Sequence, residues 1–286
     1  MRIWSVFLFF CLCGLAQAFP SKPITLVHGF APGGSLDPVV RQVAAALEQE
    51  VGQPVIVEAR PGATGTIAAA AVARAPADGY TLMFGVAGNL VVAPATMKEQ
   101  VRYDPAVDFD AITQVARGPY VLVVSREVPV TNVAELCAYA REHPGKLNYG
   151  SSGPGSVQHF AGELLARACG TTLQHIPYKG GGQSYPALMA GDIHLLFDTM
   201  PGPKIYSQSG TIVPIAVTGD QRLDTYPDLL TFAEQGFPSV DVGFMYGIVA
   251  PAGMPRDVVA TLNAALHKAL LSERMRELLA QQDLRP

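Results

Sequence analysis

Short β-rich runs alternate with amphipathic helical stretches almost from end to end of this chain, and that alternation restricts its fold more than any other feature. Strand-like runs fall at residues 24–27, 55–58, 80–85, 121–125, 147–150, 173–176, 193–198 and 213–217. Helical spacing fills the gaps. Val39, Val40, Val43, Ala46 and Leu47 recur on one face of residues 36–50, and 66–74, 133–142, 157–168, 184–190 and 257–271 follow the same rule. The pattern predicts an α/β fold with mostly parallel sheets flanked by helices. So many strands make one sheet wide, and two sheets are the more usual solution. Residues 111–125 read as the crossing from one sheet to the other and 240–250 as the return. The first domain then takes 19–118 and 243–286, and the second takes 119–242.

Composition narrows the function classes. Of 286 residues, 49% are hydrophobic and 15% charged, which is ample for a packed core. The net charge of −4, with no run of Lys or Arg, argues against a nucleic-acid partner. The first eighteen residues stand apart: Arg2, an apolar run over 3–16, then Ala16-Gln17-Ala18. That is the layout of a secretory signal peptide cut after Ala18, and the run is shorter than the roughly 20 residues of a spanning helix. Its removal leaves Cys137 and Cys169 in an oxidising compartment. They form either a disulfide or two small buried apolar groups, and spacing does not choose between these.

In open α/β sheets, ligands sit beyond the carboxyl ends of strands, so the strand-to-helix turns are the places to search. The first is Phe30-Ala31-Pro32-Gly33-Gly34-Ser35-Leu36-Asp37. Its glycines admit close backbone approach, and Ser35 is a good N-cap for a helix whose free N–H groups attract anions. Asp37 competes for the same positive field unless it caps the helix or accepts from a ligand hydroxyl or amine. Ser151-Ser152-Gly153-Pro154-Gly155-Ser156, with His159 in the following helix, repeats the arrangement in the second domain. Together they would form a two-sided clamp for a carboxylate, held by local dipoles rather than net charge. Softer candidates are Ala87, Gly88 and Asn89 after the third strand, Tyr178 before a glycine run, and Asp198 at a strand end.

Enzyme readings fare poorly. The chain has no P-loop, His-Glu-x-x-His or Gly-x-Ser-x-Gly motif, and its six histidines lack metal-ligand spacing. Gly153-x-Gly155-x-x-Gln158 approaches the dinucleotide fingerprint but carries Gln in its third position. No cofactor is expected. The alternatives to a receptor that captures a small carboxylate for transport into the cell, the reading the clamp and the expected leader favour, are a ligand-binding sensor component and, third, an α/β nucleotide-dependent enzyme.

The residues resemble the tripartite tricarboxylate transporter receptor family (Bug or TctC-like binding proteins) along essentially the whole mature chain. The matching stretches include Pro20-Ser-Lys-Pro-Ile24, Phe30 to Asp37, Arg60-Pro-Gly62, Asp78-Gly-Tyr-Thr81, Pro144-Gly-Lys-Leu-Asn-Tyr149, His159-Phe-Ala-Gly-Glu163, Pro177-Tyr-Lys-Gly180, Phe197-Asp198 and Ala216-Val-Thr218. The resemblance implies a two-domain, type II-like Venus flytrap of the periplasmic-binding-protein class. It implies a water-bridged organic carboxylate as ligand, membrane subunits of a secondary transporter as partners, and a monomer in the periplasm. Four departures stand out: His28-Gly29 where Pro is usual, Ala59 for Asn, Met245 at a position often aromatic, and an end at Pro286 about one helix earlier than the resemblance leads one to expect.

Overall fold

The computed structural model describes residues 19–33, 36–281 and 283–285. The expected leader and the two loop residues Gly34 and Ser35 lie outside the described residues.

Ten strands are β1 (Ile24–His28), β2 (Val55–Ala59), β3 (Thr81–Val86), β4 (Phe109–Pro119), β5 (Val121–Ser125), β6 (Asn148–Ser151), β7 (Gln174–Pro177), β8 (Leu195–Asp198), β9 (Ile212–Val217) and β10 (Gly243–Pro251). They form two five-stranded sheets in the orders β2-β1-β3-β10-β4 and β7-β6-β8-β5-β9. The helices are α1 (Leu36–Val51), α2 (Thr66–Val72), α3 (Ala93–Thr96), α4 (Pro105–Asp108), α5 (Val133–Glu142), α6 (Val157–Cys169), α7 (Gly181–Ala190), α8 (Pro201–Tyr206), α9 (Arg256–Leu271) and α10 (Glu273–Ala280). The expected α/β architecture of two sheets is present, but the sheets are mixed rather than mostly parallel. β1, β2 and β3 run parallel, as do β6, β7 and β8. The linking strands run against them, β10 antiparallel to β3 and β4, and β5 antiparallel to β8 and β9. In each sheet the strand that enters after a crossing, β10 or β5, is the one that runs against the βαβ strands, and propensity carries no trace of that.

Burial follows the periodicity. Helix α1 buries Leu36, Val39, Val40, Val43, Ala44 and Leu47, and lies against α9, which buries Val258, Leu262, Leu266 and Leu270. The last helix, α10, has no counterpart in the periodicity reading. It buries Met275 and Leu279, and Arg285 just beyond it pairs through its backbone with Arg117 of β4. In the second sheet Cys137 of α5 and Cys169 of α6 form a disulfide, both residues being buried.

The passage between the sheets is pinned by one buried side chain. Tyr120 separates β4 from β5, and its N–H donates to Thr218 Oγ1 at 2.8 Å. That hydroxyl donates in turn to the carbonyl of Val242, 2.6 Å away at the start of the return crossing. Thr218 thus ties both crossings together with no exposure to solvent.

Candidate functional site

A cavity of about 50 Å³ lies between the sheets. By the usual allowance of about 10–15 Å³ per water-sized group, it has room for roughly three to five such groups. Its walls come from Phe30, Ala31, Leu36, Thr64, Val86 and Gly88 on the first sheet's side, and from Ser152, Ser156, Val157, Gln158, Gly180, Gly181, Asp198 and Thr199 on the second's. Tyr120 and Tyr246 close it near the crossings.

Three helices begin here. The first residue of α1, Leu36, lines the cavity; so do Ser156, Val157 and Gln158 at the start of α6, and Gly180 and Gly181 at the start of α7. First-turn amides have no intrahelical partner and carry the positive end of the helix dipole. The sequence pointed to two such termini, and the structure adds α7 as a third. Ser156 is the N-cap of α6, its Oγ accepting from His159 N at 3.1 Å. Ser152 Oγ donates to Gln158 Oε1 at 3.0 Å.

Of the residues singled out from sequence, Phe30, Ala31, Gly88, Ser152, Ser156 and Asp198 line the cavity. The others do not. Pro32 and Gly33 are exposed. Asp37 turns away: its Oδ2 accepts from Arg41 Nε at 3.1 Å, one turn on, and its Oδ1 lies 3.8 Å from the buried His28 Nε2. This removes the expected competition for the helix dipole. Ala87 lies beside the lining without joining it, and Asn89 is structural, its Oδ1 accepting from Val86 N and its carbonyl from the Tyr103 hydroxyl. Ser151 Oγ accepts from Gly153 N and bonds His175 Nε2, so it holds the loop in shape. Gly153 and Gly155 are buried with φ of 113° and 76°, which lets the loop turn into α6. The His159 ring stacks on His175 with centroids 4.2 Å apart, outside the cavity, and Tyr178 packs into the second sheet's core.

Burial and the neighbouring His159 hold His175 down to about 4, so it is neutral near pH 7. His28 is also lowered by burial, opposed by Asp37. Burial, with the nearby Asp198 adding to it, raises Tyr120, Tyr185 and Tyr246 well above the ordinary phenol range, leaving protonated hydroxyls. Tyr246 donates to Thr199 Oγ1 at 3.3 Å, and Asp198 Oδ1 accepts from Thr199 N at 2.8 Å.

Thr64, Tyr120, Thr199 and Tyr246 are lining residues that sequence reasoning missed, while Val86 belongs to the stretch after the third strand that it singled out. Thr64 sits in the strand-to-helix turn after β2, the kind of position the carboxyl-end rule selects. Tyr246 adjoins Met245 and supplies the aromatic wall. Gly29, of the unusual His28-Gly29 pair, has a steric reason: a Cβ there would meet the Gly65 Cα at 2.2 Å, where the first loop and the β2–α2 turn touch.

Two α/β lobes around a small polar cavity at the carboxyl ends of their strands define a solute-binding protein. Residues 39–286 match the tripartite tricarboxylate transporter family receptor (TctC), and the chain belongs to that family. It is similar to a periplasmic transporter of known structure, 38% identical with a TM-score of 0.90, over 94% of this chain and 90% of that one. It is also similar to MatC from Rhodopseudomonas palustris, solved with bound malate, at 32% identity and TM-score 0.88, over 93% and 90% of the chains. A third similar structure is R. palustris Rpa4515 with adipate, 36% identical, TM-score 0.88, over 94% and 89%. The family and these neighbours are binding receptors rather than enzymes.

Proposed function

We propose that the chain captures a small organic carboxylate in this cavity and delivers it to the membrane subunits of a tripartite-type secondary transporter. The observation that carries the reading is the convergence of three helix N-termini on one cleft between the sheets. The carboxylate meets the first-turn amides of α6 and α7 and the hydroxyls of Ser152 and Ser156. On the first sheet's side it meets the loop from Phe30 to Ser35, together with Gly88. Ser152 and Ser156 already serve the loop and the cap, so bridging waters make up part of the contact at little loss of affinity. Asp198, Thr199, Tyr120 and Tyr246 form a second polar group that reads a hydroxyl, amine or distal end. Similar proteins holding malate and adipate support the ligand class.

Capture proceeds by closure of two domains, 19–118 with 243–286 against 119–242, about the crossings tied by Thr218. A ligand moves such a balance only through its stronger binding to the closed form, so loops of both domains must contribute. Residues 1–18 direct export to the periplasm, where the receptor acts as a monomer without cofactor or metal.

The test is a thermal-shift panel of malate, succinate, adipate, citrate, amino acids and neutral sugars. A ligand at 100 times its Kd stabilises by about 2.7 kcal/mol. A shift from carboxylates alone, abolished in the Ser35→Ala/Ser156→Ala double variant, is the expected result. Shifts from sugars only, or none from a folded sample, would defeat the proposal.

A further inference from the structure

The loops facing each other across the cavity touch at few points, and one residue makes two of the contacts. Thr64 Oγ1 lies 2.8 Å from the carbonyl of Pro154 and 3.3 Å from that of Ser152, both on the opposite lobe. It is almost fully buried and lines the cavity. Glycines make room for it on both sides: a Cβ on Gly88 would come 3.3 Å from its methyl, and one on Gly153 would come 3.0 Å from its hydroxyl.

Its backbone is unusual. Thr64 has φ 59° and ψ 21°, a left-handed conformation that β-branched side chains rarely adopt. Such strain persists only where surrounding contacts hold it, and it tends to sit at clamps and switches. The preceding Ala63 shares the positive φ, at 46°. The turn therefore holds two non-glycine residues in disfavoured geometry, and this aims one hydroxyl at the facing loop. Among the described residues a backbone amide also links the two sides here, Ala31 N donating to the Lys179 carbonyl at 3.1 Å.

We infer that Thr64 is the latch of the closed cleft, a positioning residue whose hydroxyl bonds the second lobe's loop directly and so sets the open–closed balance and the rate of ligand release. Opening the cleft breaks both contacts, and the hydroxyl then meets water. The latch favours closure before any ligand arrives and slows departure afterwards. The effect on release rests on the receptor reading, whereas the effect on closure does not.

The experiment uses the purified full chain and three variants: Thr64→Val, which keeps the shape and removes the donor; Thr64→Ser, which keeps the donor; and Thr64→Gly, which removes the donor and relieves the strain. Small-angle scattering of ligand-free protein reads closure. Malate and adipate are the probes for affinity and release rate. Loss of one net hydrogen bond corresponds to a three- to tenfold change, as an order of magnitude. Thr64→Val and Thr64→Gly should expand the ligand-free protein and release the probe about three to ten times faster, with association little changed. Thr64→Ser should behave as the parent. Unchanged scattering in Thr64→Val would overturn the latch, as would Thr64→Ser losing as much as Thr64→Val. If neither probe binds any variant while scattering still separates Val from Ser, the latch stands and the ligand assignment fails.

Discussion

Reducing the Cys137–Cys169 disulfide should destabilise the second lobe substantially and leave ligand affinity nearly untouched. The bridge spans 32 residues of sequence, from α5 to the last residue of α6. In the chain-entropy treatment, a loop of that length adds about 3.7 kcal/mol at 25 °C, before any native-state enthalpy is counted. Unfolding entropy scales at about 2.1 cal/mol/K per residue, so a molecule melting as one unit of roughly 265 residues would lose about 7 °C. If the second lobe of roughly 120 residues melts by itself, the loss approaches about 15 °C. Calorimetry with and without a phosphine reductant measures this directly, and avoids the cavities that cysteine substitution would leave. A single peak moved by the smaller amount means the lobes are coupled in unfolding. A split peak, with only the lower component moved, means they are independent. Affinity should change by less than about twofold, because Cys169 and Ser156 sit at opposite ends of a 13-residue helix, about 20 Å apart. A melting temperature unmoved by verified reduction would refute the reasoning.

Acidification gives a second expectation. His175 titrates near 4 in the folded state against about 6.5 unfolded, so between these values the unfolded chain binds more protons. Its stabilising contribution is complete above about pH 6.5 and is lost as pH falls toward about 4; it is at most about 3 kcal/mol, and less after solvent screening. His28 and His194 are lowered too and act in the same direction. Melting temperatures equal at about pH 7.5 and about pH 5 would contradict this. Thr218→Val should cost about 2–3 kcal/mol in denaturant titration, since it strands the buried Tyr120 N–H and frees the Val242 carbonyl. A cost under about 0.5 kcal/mol would mean that the crossings are held elsewhere.

The periodicity located most elements, missing β4, β10, α3, α4, α8 and α10, because burial in this molecule largely follows strand and helix repeats. β5 and α5 match the expected bounds, and the other anticipated strands and most helices agree to within one or two residues. What escaped was non-local. Residues 111–125 read as one crossing, yet Tyr120 divides them between β4 in one sheet and β5 in the other. Strand sense was equally hidden, because a β-run has the same composition in either direction. The site shows the same division. Helix starts were legible, since a strand followed by Gly and Ser and then a helix forms a capped N-terminus locally. Thr64 stood in a strand-to-helix turn that the carboxyl-end rule selects, whereas the side chains of Tyr120 and Tyr246 face the cavity only because two sheets face each other, and no local pattern encodes that. His159 looked chemical for its residue type, but its ring is spent on His175.

An acidic chain of net charge −4 can hold an anion because the relevant field is local. Screening confines surface charges to about 8 Å at physiological ionic strength. Inside the cavity the nearest sources are helix ends, each equivalent to roughly half a positive charge. Three of them amount to about +1.5, against one carboxylate from Asp198. Asp37 would have erased the contribution of α1, but Arg41 engages its carboxylate one turn along the helix. Under the proposed reading, a ligand fits best with one carboxylate at the helix starts and a hydroxyl or amine turned to Asp198. A second carboxylate gains only if it lies away from that residue. Burial, with Asp198 adding to it, keeps the tyrosines nearby protonated; ionised, Tyr120 and Tyr246 would repel the ligand.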